Sequence, residues 1–153
     1  MVPDRAPPRF TLPAGIRWLE HTADAGFAVR GASAQEVYQR CVAALRHLLL
    51  GDQPVADGLR LELELQGQDR AERLVALLEE VLLRLEVERF VTARAEVGED
   101  EPGQGTLYVA LLGEHFDPAR HRQVREVKAI TYHGLGFARR PDGSLEATVV
   151  VDL

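Results

Sequence analysis

Asp24 closes the run His21-Thr22-Ala23-Asp24 just ahead of a short apolar stretch, and Asp152 follows Val149-Val150-Val151 and precedes Leu153. An aspartate in strand-rich surroundings is unfavourable unless it caps, turns or binds something. No helix follows Asp152 that would need capping. If a strand beginning at Asp24 lies beside one ending at Asp152, two carboxylates meet and Leu153 adds further oxygen atoms. That donor set suits a hard cation. The alternative reading is equally simple: a solvated aspartate costs little near a chain end.

Other chemistry is harder to place. Ser33 and Ser144 are the only serines; one sits where a helix cap belongs and the other in a turn, so a serine triad has no candidate. No glycine-rich phosphate loop or dinucleotide fingerprint is present, which argues against an NTPase or dehydrogenase. The histidines His21, His47, His115, His121 and His133 form no His-x-x-x-His pair, and a single cysteine, Cys41, completes no zinc spacing. His21 can orient Asp24, act as a general acid or base, or fix the turn ahead of the strand. His133, in Thr131-Tyr132-His133-Gly134, fits either a surface role or a packed strand position.

Cys41 alone excludes an internal disulfide and points to a reducing, cytoplasmic setting. Net charge is −6, opposite in sign to a phosphate-gripping surface, so direct strong nucleic-acid binding is not expected. The local exception, Arg120, His121, Arg122, Arg125 and Lys128, reads first as a solvated face and second as a phosphate contact. Residues 1–14 read as a flexible proline-rich tail, with no continuous apolar stretch for a signal peptide or membrane span.

Residues 15–153 must position the chemistry. Ile16 to Arg30 reads as one or two strands broken near His21 to Asp24. Ser33-Ala34-Gln35-Glu36 is a capping box, followed by Val37, Cys41, Ala44, Leu45, Leu48 and Leu49 at helical spacing and a stop at Gly51. Leu59, Leu61, Leu63 and Leu65 alternate with charged residues, predicting a strand with one buried and one wet face. Asp69 with Glu72 caps a second helix whose apolar face is Leu74, Leu77, Leu78, Val81, Leu82 and Leu85. Strands follow over 90–97, 106–112, 124–139 and 145–151. The order predicts an α+β domain: a largely antiparallel sheet with two helices packed on one face.

Three stretches, in this order, resemble the archease family: His21-Thr22-Ala23-Asp24 with Gly26; Val127-Lys128-Ala129-Ile130-Thr131-Tyr132-His133; and Val150-Val151-Asp152-Leu153. The resemblance covers nearly all of 15–153. It implies a non-catalytic accessory protein for an RtcB-type RNA ligase, which joins RNA ends in tRNA splicing and RNA repair through a guanylylated histidine. Family members promote activation of that ligase by GTP and its multiple turnover, and do not join RNA alone. The resemblance further implies a divalent cation, usually calcium with magnesium or manganese as alternatives, held by Asp24, Asp152 and Leu153. Ala25, Gly134 and Leu153 depart from the usual residues at their positions, yet every proposed oxygen donor is kept. Readings from other classes are a stand-alone metal-dependent hydrolase using Asp24, Asp152 and His21, and a chaperone-like binding module.

Overall fold

A computed structural model describes residues 15–20, 24–98, 103 and 105–153, with the side chains of Glu20 and Asp24 excepted. The residue 1–14 segment and His21 to Ala23 lie outside these. The elements run β1 (Ile16–Glu20), β2 (Asp24–Gly31), α1 (Ala34–Leu50), β3 (Leu59–Gln66), α2 (Arg70–Glu88), β4 (Phe90–Val97), β5 (Thr106–His115), β6 (Ala129–Arg139) and β7 (Leu145–Asp152).

Both helices start where short-range chemistry says they must. The Ser33 hydroxyl accepts from the Glu36 N–H at 3.2 Å while the Glu36 carboxylate accepts from the Ala32 N–H at 3.0 Å. Asp69 and Glu72 repeat the device at 2.8 Å each way, with Gln68 supplying the second N–H. Each pair satisfies amide groups that the first helical turn leaves without an internal partner. Gly51, at φ +63°, ends α1 in the backbone region glycine tolerates. The end of α2 is less readable, because Arg89 takes the left-handed conformation there without being glycine.

The strands divide into two antiparallel sheets, ordered β1-β2-β7-β6 and β3-β5-β4. Helix α1 packs on β2, β4 and β7, and α2 on β3, β4 and β6, so the helices join the two sheets around one core. That core takes Phe27, Val29, Val149 and Val151 from the four-stranded sheet, Leu107 and Leu111 from the three-stranded one, and Leu45, Leu48, Leu74, Leu77 and Leu78 from the helices. Cys41 is fully buried within it, and desolvation pushes its thiol well above the ordinary range. It is a packing residue and an inert one.

Two sequence expectations shift. Of the β3 leucines only Leu65 is buried; Leu61 and Leu63 are half-buried and Leu59 is exposed, because β3 is an edge strand that α2 covers less than it does the other edge, β4, on which both helices pack. Val124 to Lys128 is not part of a strand and bends at Arg125, tied at its ends by Val124 N–H to Leu49 O and Lys128 N–H to Asp152 O, both 2.8 Å. No helix among the described residues is long and apolar enough to cross a membrane.

Candidate functional site

Asp24 opens β2 and Asp152 closes β7, and the antiparallel register makes them direct partners. Phe27, Val29, Val149 and Val151 point into the core, so strand alternation puts the positions of Asp24, Gly26, Val150 and Asp152 on the opposite face of the sheet. Opposed positions in such a pair hold their β-carbons roughly 4.5–5.5 Å apart, and like charges there repel. A cation between them reverses the sign of that interaction.

The backbone leaves little freedom at this end. Asp152 is bracketed by Asp24 on one side and Ala129 of β6 on the other, and its carbonyl oxygen already accepts from the Lys128 N–H at 2.8 Å. Its carboxylate is exposed, and among the described residues no side chain pairs with it. Leu153 is partly buried against the core, so its side chain anchors the segment and its contribution to a cation would be main-chain oxygen. Gly26, two residues into β2, is required by close approach: a β-carbon there would stand 2.8 Å from the Val149 carbonyl oxygen.

Carboxylate and main-chain oxygen is the donor chemistry of calcium, magnesium and manganese, not of thiolate-seeking metals. The residues present fit such an ion by type. Among the described residues, however, no group of three or more His, Cys, Asp or Glu gathers as a metal-holding cluster. His21 lies outside the described residues, so its part beside Asp24 is not placed.

His133 is placed, and it is exposed. Thr131 pairs with Val150 and Gly136 with Thr148, leaving Tyr132, His133, Gly134 and Leu135 all opposite the single residue Val149. This wide bulge turns at Gly134, φ +71°. The residue before it is clamped, since the Thr131 hydroxyl donates to the Val150 carbonyl at 3.1 Å. Tyr132 is 66% exposed. Sequence reasoning missed the bulge; the signal available was Gly134 and Gly136 interrupting an apparent strand.

The basic stretch from Arg120 resolves into an internal knot. The Glu114 carboxylate accepts from the Arg120 guanidinium, from the Ala56 N–H at 2.6 Å and from His121 Nε2 at 3.1 Å. His121 is buried, and its Nδ1 accepts from the Asp117 N–H at 2.9 Å, which puts the ring hydrogen on Nε2. With Arg120 as the largest cause, this network draws Glu114 down from 4.5 to about 2. Arg120 also bonds Asp117. Gln53 clamps the next residue, accepting from the Arg122 N–H at 2.6 Å and donating to its carbonyl at 2.5 Å. These groups hold a loop; Arg120 and His121 are committed to it.

A model of the Archease protein family (MTH1598/TM1083) matches residues 17–153. The protein archease of Pyrococcus furiosus is 33% identical over 135 residues, 88% of this chain and 95% of its own. The solution structure of Methanobacterium thermoautotrophicum protein 1598 superposes with a TM-score of 0.72 at 28% identity, covering 91% of this chain and 99% of that one. A Thermotoga maritima protein described as an archease and possible chaperone shares the fold, with a TM-score of 0.56 at 22% identity over 88% of this chain and 94% of that one.

Proposed function

Because the chain belongs to the archease family, we propose that it activates an RtcB-type RNA ligase in tRNA splicing and RNA repair, promoting guanylylation of the ligase and its multiple turnover without catalysing a reaction itself. The observation that carries the proposal from family to residue is the register of Asp24 against Asp152. A pair of acids fixed at one sheet end is a poor nucleophile or acid–base set without a further group, and a good receptor for a divalent cation. Asp24, Asp152 and the main-chain oxygen of Leu153 would hold that ion, with calcium favoured and magnesium or manganese accepted. When bound, the ion supplies positive charge that cancels the repulsion of the acid pair.

The chain's own residues do the rest. The strand ladder and the Lys128 N–H fix Asp152, and Gly26 lets β2 approach β7 closely enough to keep Asp24 opposite. The outcome is an edge on which two acidic positions are held together by backbone pairing before any partner arrives, as preorganised recognition requires. A net charge of −6 complements the basic surface a ligase needs for RNA.

The test is a ligation assay with GTP under single- and multiple-turnover conditions, with and without this protein. Stimulation at amounts below the ligase's substrate, and no RNA joining or hydrolysis by this chain alone, is the expected result. Hydrolysis by the isolated protein that is lost in Asp152→Ala would replace the activator reading with the hydrolase one.

A further inference from the structure

We propose that the Tyr132–His133 bulge of β6 is the contact by which this protein seats on the ligase, fitting a pocket for an aromatic ring on the rim of the ligase's cation-rich site. The inference rests on the activator reading above and adds the surface that does the docking.

Four observations lead there. First, the bulge is costly: Tyr132, His133, Gly134 and Leu135 share one opposing residue, so the regular ladder with β7 is interrupted there. Second, the fold gains little from its tip, because Tyr132 is 66% exposed and His133 is exposed. Large apolar surface left out while a strand is distorted to present it is a feature of interaction sites. Third, the distortion is held in place: the Thr131 hydroxyl bonds the Val150 carbonyl, and a β-carbon at Gly134 would stand 3.4 Å from Val150 Cγ2. Fourth, Val150, against which Gly134 of the bulge rests, is two residues from Asp152 on the same strand and so shares the face of the sheet on which the acidic positions lie.

The neighbours decide the kind of contact. Ala129, Gly134, Gly136 and Ala138 are small, so the tyrosine ring stands clear of its surroundings as a knob. The bulge also breaks the free edge of β6, which blocks a partner from adding a regular strand there. Docking is therefore by side chain. Tyrosine concentrates binding energy in interfaces because it brings large area with few rotors and a polar tip. The acidic positions at the end of the same sheet select a partner face carrying cations.

The measurement is stimulation of GTP-dependent ligation as a function of added protein, comparing wild type with Tyr132→Ala, Tyr132→Phe and His133→Ala. Tyr132→Ala should raise the half-saturating concentration about tenfold or more, leaving the plateau, the calcium affinity and the thermal midpoint unchanged. Tyr132→Phe should stay near wild type, and His133→Ala should fall between. Wild-type stimulation with an unaltered half-saturating concentration in Tyr132→Ala overturns the inference while leaving the activator reading intact. No stimulation by wild type removes both. Light scattering covers the remaining occupant: a wild-type dimer that Tyr132→Ala dissociates would assign the knob to a second copy and overturn ligase docking.

Discussion

Two carboxylate sites in this molecule are built in opposite ways. Glu114 is surrounded: a guanidinium, a main-chain N–H and an imidazole N–H each reach it, and its carboxyl sits near 2 as a result. Asp152 is confronted, with another aspartate directly across the ladder and no described side chain paired to its carboxylate. The first is an arrangement in which the fold supplies every partner, and such sites hold loops. The second has no partner among the described side chains, which is why we assign the proposed cation to it. Counting acidic residues would not separate them; asking what each carboxylate already touches does.

The comparison predicts its own largest break. Asp152→Ala or Asp24→Ala should reduce ligase stimulation at least about tenfold and weaken calcium binding, while unfolding free energy in chelator stays within about 0.5 kcal/mol of wild type. Calcium at about 100 times its dissociation constant should stabilise wild type by roughly 2.7 kcal/mol and leave the variants unmoved. Thermal scans with and without calcium read both effects, and a wild-type midpoint indifferent to calcium would remove the ion from the site.

The opposite result is expected in the knot. His121→Ala leaves the Asp117 N–H without its acceptor inside a buried network, at a cost of about 2 kcal/mol. Urea unfolding should show that loss, and the folded variant should stimulate the ligase as wild type does. If stimulation fell in step with Asp152→Ala, the two sites would not be separable.

Acid titration sharpens the contrast. Glu114 is drawn from 4.5 to about 2 on folding, so its contribution to stability is full above pH 4.5 and is lost as pH falls toward 2. Unfolding midpoints measured across that window should drop more steeply for wild type than for Glu114→Gln. The smallest effect belongs to Leu153→Ile, which keeps the main-chain oxygen and the apolar packing and should change calcium affinity and stability by no more than about 0.5 kcal/mol.

What could be read from the residues alone follows the range of the forces involved. The helices were legible because caps and apolar spacing act within a few residues, as Ser33 with Glu36 and Asp69 with Glu72 demonstrate. The pairing of Asp24 with Asp152 was legible as two strand ends carrying carboxylates, and the register joins them. The division into two sheets was not, since nothing in Leu59 to Gln66 states that β5 will be its one neighbour. The exposure of Leu59 follows from that same non-local choice. The 132–135 bulge was missed although its signal was present: the apolar residues pass from even positions, Ile130 and Tyr132, to odd ones, Leu135 and Phe137, with Gly134 at the change.

The sheet order β1-β2-β7-β6 carries a kinetic consequence. Strands β2 and β7 come from opposite ends of the described chain, so the pairing that creates the acid edge closes the longest loop in the fold. Its entropy must be met before any of its contacts form. Helices and the β4–β5 hairpin are local and can form early, whereas Asp24 and Asp152 meet only when everything between them has been gathered. The acid edge is thus expected to complete late, and the cation binding proposed for it would report on chains that have reached that stage.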